Sequence, residues 1–270
     1  MDNARINEND DFSQASAENL SGPGSFEALA EKSFDEIITP STMKRREMKY
    51  IVDSGQVAAL KKIVSEHMPE DKYGLTTVAS LYYDTPDKRL IRTSVEKPAF
   101  KEKIRLRAYG EVTEDSTLYL EIKRKADGVV YKRRVPVSRA EADAFFNYER
   151  LVGGDEQISK EITYFRDYYK TLRPSCVILY DRLAFYAERT NLRVTFDMAP
   201  RYRTDNLRLC DDMTGTLLLP EGFAVLEIKA QKVIPLWLSG ALTRLNIKKE
   251  SYSKYGEAYA RMMLSDNKGE

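Results

Sequence analysis

Apolar and polar residues alternate with a period of two in a succession of short runs. In "KEKIRLRAY", Lys101, Lys103, Arg105 and Arg107 hold one phase, and Ile104, Leu106 and Ala108 hold the other. This is the period of a β-strand, which sends successive side chains to opposite faces. Eight such runs predict strands near 43–52, 75–84, 100–109, 116–125, 128–137, 175–188, 191–202 and 222–230. "KADGVV" predicts a tight Asp-Gly turn between the fourth and fifth. "ERTN" predicts a turn between the sixth and seventh.

Helical spacing occupies the intervals. "DSGQVAALKKIVSEHM" opens on the N-cap candidates Asp53 and Ser54. "SRAEADAFFNYER" has Ser138 followed three residues later by Glu141, the pattern of a capping box. "SKEITYFRDYYKTL" aligns Ile162, Phe165 and Tyr169, and "PLWLSGALTRL" and "SKYGEAYARMML" supply two more helices. Residues 1–40 differ. They are rich in Ser, Asn and Gly, with nine acids against two bases, and predict a disordered acidic tail. Only "SFEALAEKSFDEII" within them has a helical pattern. The expected organisation is that tail followed by one domain over 41–266.

The charged phase recurs from strand to strand. It carries Glu47 and Lys49, then Arg105 and Arg107, then Glu121 and Lys123, and later Arg182, Arg193, Asp197, Glu227 and Lys229. Lys132 and Arg134 join it only if their strand has the right register, because a slip of one residue reverses every side chain. An open sheet with one wet face gives the same alternation. Two features favour enclosure. Arg and Lys dominate a face on which a solvated surface would mix in Ser, Thr, Gln and Asn. The opposite face is apolar, with amphipathic helices available to cover it. The expected fold is therefore α+β, a closed eight-stranded antiparallel β-barrel with helices packed on the outside, since closure removes both sheet edges.

Charge adds a ligand to this picture. The net charge of +1 combines the acidic tail with a body of 41 bases against 33 acids. A basic interior needs counter-charge, since like charges ~6–8 Å apart at an effective dielectric near ~20 repel by ~2–3 kcal/mol. Interspersed carboxylates, water and a polyanion would supply it. Arg suits phosphate because its planar fork donates two hydrogen bonds to neighbouring oxygens. The cysteines, Cys176 and Cys210, have no metal or redox spacing, and there is a single histidine, His67. A metal would therefore rest on carboxylates, which selects Mg2+ or Mn2+ over zinc. No apolar run approaches a membrane-spanning length, and the N-terminus lacks a secretory pattern. The expectation is a cytoplasmic protein with no membrane span in this chain, a membrane partner remaining open. Aromatics are not interleaved with bases as in nucleic-acid binders, so no nucleic acid is expected.

Taken in order, "EMK", "RLR", "EIKR", "YDR", "LRVTFD", "EIK" and the closing "SKY" resemble the triphosphate tunnel metalloenzymes. The branch they are most similar to is the VTC domain, the polyphosphate polymerase domain of the vacuolar transporter chaperone, over residues 43 to 264. The resemblance implies an eight-stranded tunnel and metal-dependent phosphoryl transfer. It implies polyphosphate polymerisation from ATP, with inorganic tripolyphosphatase activity or non-catalytic polyphosphate sensing as alternatives. By match, Lys49, Arg105, Arg107, Lys123, Arg182 and Arg193 would line the tunnel, joined by Lys132 and Arg134 if their register allows. Ser253 and Lys254 would close one end at a helix N-terminus. Lys254, Arg182 and Lys123 are the implied catalytic cations. Glu227 is the implied leading ligand for Mn2+ or Mg2+, with Glu47 or Glu121 nearby. The chain departs from the family pattern at Ser251, where a further lysine is usual.

Overall fold

The computed structural model describes residues 46–96, 98–126, 129–209, 212–231 and 233–266. The expected acidic tail, the helical pattern at its end and the Asp127-Gly128 turn lie outside the described residues.

The period-two runs form strands. They are β1 (Arg46–Val52), β2 (Thr76–Asp84), β3 (Phe100–Tyr109), β4 (Leu118–Ala126), β5 (Val129–Val137), β6 (Arg173–Ala187), β7 (Leu192–Arg203) and β9 (Ala224–Ala230). Two short strands, β8 (Thr216–Leu217) and β10 (Lys249–Glu250), complete one ten-stranded sheet. Its order is β10-β1-β9-β7-β6-β2-β3-β4-β5, with β8 attached to β7, and every pairing is antiparallel. Between β6 and β7 the chain turns through a short 3-10 segment, Glu188–Thr190, and Asn191 closes the turn in the left-handed region.

Helices cover the outer face in two groups. Ala79, Leu81, Ile104, Leu106, Leu120 and Ile122 pack on α3 (Arg139–Phe146) and α4 (Glu156–Tyr169), through Phe145, Ile162 and Phe165. Tyr50, Val52, Phe185, Phe196, Leu226 and Ile228 pack on α1 (Ser54–Ser65) and α5 (Leu236–Arg244), through Leu60, Val64, Leu238 and Leu242. Phe145, Phe165 and Phe196 are at most 1% exposed. Burial of each such ring stabilises the fold by ~1.5–3 kcal/mol. The caps follow the sequence. Asp53 accepts from Gln56 N at 2.8 Å, and Ser138 and Glu141 form a reciprocal box.

The inner face carries its own apolar patch. Val78, Tyr82, Cys176, Ile178 and Tyr180 of β2 and β6 lie against Tyr255, Ala258 and Met262 of α6 (Lys254–Asp266) and Ile91 of α2 (Arg89–Val95). These α6 positions are three and four residues apart, as one helix face requires. Asp84, fully buried, ties the patch together. It accepts from Leu90 N at 2.8 Å and Ile91 N at 3.0 Å in the first turn of α2, and Tyr255 Oη donates to it at 3.0 Å. The residue after Lys254 is thereby fixed to the end of β2.

The α+β antiparallel sheet is as expected, but among the described residues hydrogen bonds do not close it into a barrel. The hydrogen-bonded ladder ends at β5 on one side and β10 on the other. The outer edge of β1 pairs with β10 at Lys49, opposite Glu250, and at Tyr50, opposite Lys249. The sheet still curls on itself: Lys123 Nζ of β4 lies 3.9 Å from Glu47 Oε2 of β1, although five strands separate β1 from β4 in the pairing order.

Candidate active site

Period-two alternation aims one side chain in two from each long strand at the concave face, where the charges form two linked centres. Glu121 is the hub of the first and is 2% exposed. Arg105 Nε donates to its Oε2 at 2.8 Å, with Arg105 Nη2 at 2.7 Å. Lys132 Nζ and Arg134 Nε lie 3.2 Å and 3.6 Å from its Oε1, and Arg107 Nε lies 4.0 Å from Oε2. β5 thus has the register that turns Lys132 and Arg134 inward, each paired against β4. Burial opposes ionisation of Glu121, but Arg105, Arg107, Lys132 and Arg134 outweigh it and hold the carboxyl far below the usual range.

The second centre joins β6, β7, β9, β1 and α6. Arg182 grips Asp197 with both arms of its guanidinium, Nε to Oδ1 at 2.7 Å and Nη2 to Oδ2 at 2.9 Å. Lys254, the first residue of α6, donates to the same carboxylate and lies 3.7 Å from Glu227 Oε1. Lys49 Nζ sits 3.3 Å from Glu227 and 3.5 Å from Glu47, and donates to Tyr252 O at 3.2 Å. Glu227 is driven well below its ordinary pKa: burial raises it, and Lys254, Lys49 and Arg182 more than reverse this. Lys49 is raised despite burial, chiefly by Glu227 and Glu47. Tyr180 bridges the two centres. Arg107 Nη2 donates to its hydroxyl at 3.4 Å, and Lys254 Nζ stands 4.4 Å from its ring centroid.

Lys123 lies at the solvent-accessible part of this face. Half of its side chain is accessible, yet its pKa falls, first because of burial and then because of Lys229, Lys49 and Arg105.

The expected residues Lys49, Arg105, Arg107, Lys123, Lys132, Arg134, Arg182 and Lys254 are therefore brought together, with Glu47, Glu121 and Glu227 among them. Arg193 stands opposite Lys229 in the pairing of β7 with β9, in phase with Thr195 and Asp197, and its Nη2 also lies 3.7 Å from Asp71 Oδ2 in the segment after α1. Ser253 is exposed, and its hydroxyl accepts from Gly256 N at 3.2 Å as the helix cap. Lys248 and Lys249, near the departure at Ser251, are exposed. Three further residues line the face. Lys103 and Lys229 keep the phase of Arg105 and Glu227 that their period-two spacing predicted. Tyr82, whose hydroxyl accepts from Arg105 Nη1 at 2.9 Å, could not be found that way. Its strand is buried on both faces from Val78 onward, and apolar or aromatic side chains occupy both of its phases there.

Comparison with known proteins gives one decisive match. The model of the VTC domain family matches residues 44–263. None of the curated proteins matches the chain. Among solved structures it is similar to a candidate adenylate cyclase from Bacillus halodurans, at 12% identity and a TM-score of 0.46, over 78% of this chain and 96% of that one. A candidate adenylate cyclase from Vibrio parahaemolyticus has 12% identity and a TM-score of 0.42, over 81% and 99%. A Pyrococcus horikoshii OT3 protein has 14% identity and a TM-score of 0.37, over 78% and 96%. Structural likenesses with such scores support no conclusion about the activity of this chain.

Proposed function

The chain belongs to the VTC domain family, within the triphosphate tunnel superfamily of phosphoryl-transferring proteins, and from that premise we propose that it is a metal-dependent polyphosphate polymerase using ATP. The observation that carries this reading is the pair of linked cationic centres on the concave face, where bases outnumber carboxylates and water has access.

In this reading the triphosphate of ATP lies along Arg105, Arg107, Arg182 and Lys254, and the acceptor phosphate chain lies toward Lys123 and Lys132. Arg182 and Lys254 meet the transferring phosphoryl group, and Asp197, to which both donate, pre-aligns them. Such a fixed arrangement stabilises developing charge without reorganising at the moment of reaction. Asp197 and Glu121, almost wholly enclosed by cations, serve as internal counter-ions. The cavity can therefore stay folded when it is empty.

The donor set limits how a metal would be held. Among the described residues no group of three His, Cys, Asp or Glu is placed to hold an ion. Glu227 and Glu47 share Lys49 between them and lie on adjacent strands. Two carboxylates suit Mg2+ or Mn2+, which take one or two protein ligands and complete their shell with phosphate oxygens and water. Glu227 and Glu47 would hold such an ion, and its chemistry would be neutralisation of phosphate charge. Glu121, with four cations around it, is better assigned to the arginines.

The test is incubation of the purified chain with ATP and Mn2+, followed by sizing of the products. Polyphosphate chains support the proposal. Release of phosphate from tripolyphosphate without chain growth replaces it with a hydrolase. Tripolyphosphate binding that survives E227Q, with no turnover in the unmodified protein, replaces it with a sensor. No helix among the described residues is long and apolar enough to cross a membrane. A cytoplasmic location remains part of the proposal.

A further inference from the structure

Lys103 differs from its neighbours on the concave face. Lys49, Lys123, Lys132, Lys254, Arg105, Arg107, Arg134 and Arg182 each lie within 4.0 Å of a carboxylate. Lys229 stands opposite Glu47 in the pairing of β1 with β9. Among the described residues, Lys103 has no carboxylate in that range. What faces it is cationic or aromatic: Tyr82 from β2, Lys101 and Arg105 from its own strand, Lys123 from β4, Lys49 from β1 and the Tyr255 ring of α6 with its centroid 5.4 Å away. Its side chain is only partly exposed.

Tyr82 completes the constellation. Its ring stacks on Tyr255 at 4.2 Å, which fixes it, and its hydroxyl accepts from Arg105 Nη1. Arginine can only donate, so the phenol proton is left for an outside acceptor. Lys103, Arg105 and Tyr82 thus present two cations and a hydroxyl donor at one point of the cavity wall.

We propose that Lys103 and Tyr82, together with Arg105, form an anion subsite that takes up a proton from solvent when it takes a phosphate group. The inference rests on the phosphate-binding reading of the same cavity and deepens it. Before binding, Lys103 holds its proton weakly: burial, then Lys123, Lys101 and Lys49, bring it to about 8 against the opposing pull of Tyr82. Tyr82 is also brought to about 8, because Arg105, Lys103 and Arg107 overcome its burial. A phosphate oxygen reverses both effects. It supplies the charge that Lys103 lacks and an acceptor for the phenol, so Lys103 is loaded with a proton and Tyr82 keeps its own.

The experiment is calorimetric titration with inorganic tripolyphosphate from pH 7 to 9, in buffers of different ionisation enthalpy, on the intact chain and on K103R, K103M and Y82F. For the unmodified chain, the expected Kd weakens about tenfold from pH 8 to pH 9, with net proton uptake. K103R stays cationic, so it should bind tightly, lose the uptake at Lys103 and reduce the pH slope to the part that Tyr82 supplies. This comparison also cancels the titration of tripolyphosphate itself. K103M should bind about tenfold more weakly at pH 7 and show a similarly reduced slope, and Y82F should lose the share of the uptake that belongs to Tyr82. If K103R and K103M keep the unmodified slope and uptake, the subsite is refuted while phosphate binding stands. If the unmodified chain does not bind tripolyphosphate at pH 7, the phosphate reading of the whole cavity fails as well.

Discussion

Substituting Glu121 by Gln removes one charge and almost no volume, and it should strand four cations. Arg105, Lys132, Arg134 and Arg107 stand between 2.7 and 4.0 Å from its oxygens, in a position where the carboxylate is 2% exposed. At ~4 Å and an effective dielectric of ~20, each contact is worth ~4 kcal/mol of Coulomb energy, so the gross loss far exceeds that of a surface pair. Relaxation, water entry and relief of the cost of burying the carboxylate reduce it. Breaking a buried pair on one side typically costs ~3–5 kcal/mol. In a domain of this size, ~1 kcal/mol lowers Tm by ~2–4 °C, so E121Q should melt ~6–20 °C lower. The measurement is thermal unfolding with and without millimolar tripolyphosphate. A ligand at ~100 times its Kd stabilises by ~2.7 kcal/mol. In E121Q the gain should exceed that of the unmodified chain, because the anion replaces the missing counter-charge. An unchanged Tm without ligand, or equal ligand-induced shifts in the two proteins, would refute the view that Glu121 neutralises a site built for an anion.

Two further outcomes are expected. Arg182→Ala should cost ~3–5 kcal/mol, by leaving the fully buried Asp197 to Lys254 alone, whereas Arg182→Ala with Asp197→Ala should cost less than the sum of the single substitutions; denaturant unfolding of the four proteins measures the coupling, and simple additivity counts against the bidentate pair. Stability should also fall in acid: Glu47, Glu121, Asp197 and Glu227 have folded pKa values held down by neighbouring cations, so their contribution is complete above the unfolded carboxylate range near ~4 and is lost as pH drops toward the folded values; a Tm that does not decline between pH 6 and pH 3 contradicts this.

Most of the strands were legible because a strand's chemistry is local. Alternation of bases with Ile, Leu and Val in "KEKIRLRAY" gives both the element and its inward face, and the capping box at Ser138 needs only four residues to read. β2 was legible as a strand, but its inner face was not. Val78, Ser80 and Tyr82 face the cavity and α6, while Ala79, Leu81 and Tyr83 face α3 and α4, so no polar phase marks Tyr82 as part of the wall. α2, β8 and β10 gave no signal. They are too short for a period to show: β8 and β10 are held by pairing with the distant strands β7 and β1, and α2 by the Asp84 carboxylate just before it.

The sequence by itself determined that a row of Arg and Lys would share a face with sparing carboxylates, because side-chain direction along a strand follows from chain geometry alone. Only the tertiary structure decided which carboxylate answers which cation. Glu121 meets Arg105 across one strand pair, Arg182 meets Asp197 across another, and Glu47 meets Lys123 across the open side of the curl, while Arg193 turns to Asp71. Those partners are set by strand order and by β10 occupying the edge of β1. A Coulomb interaction depends on distance in space, which spacing along the chain does not encode.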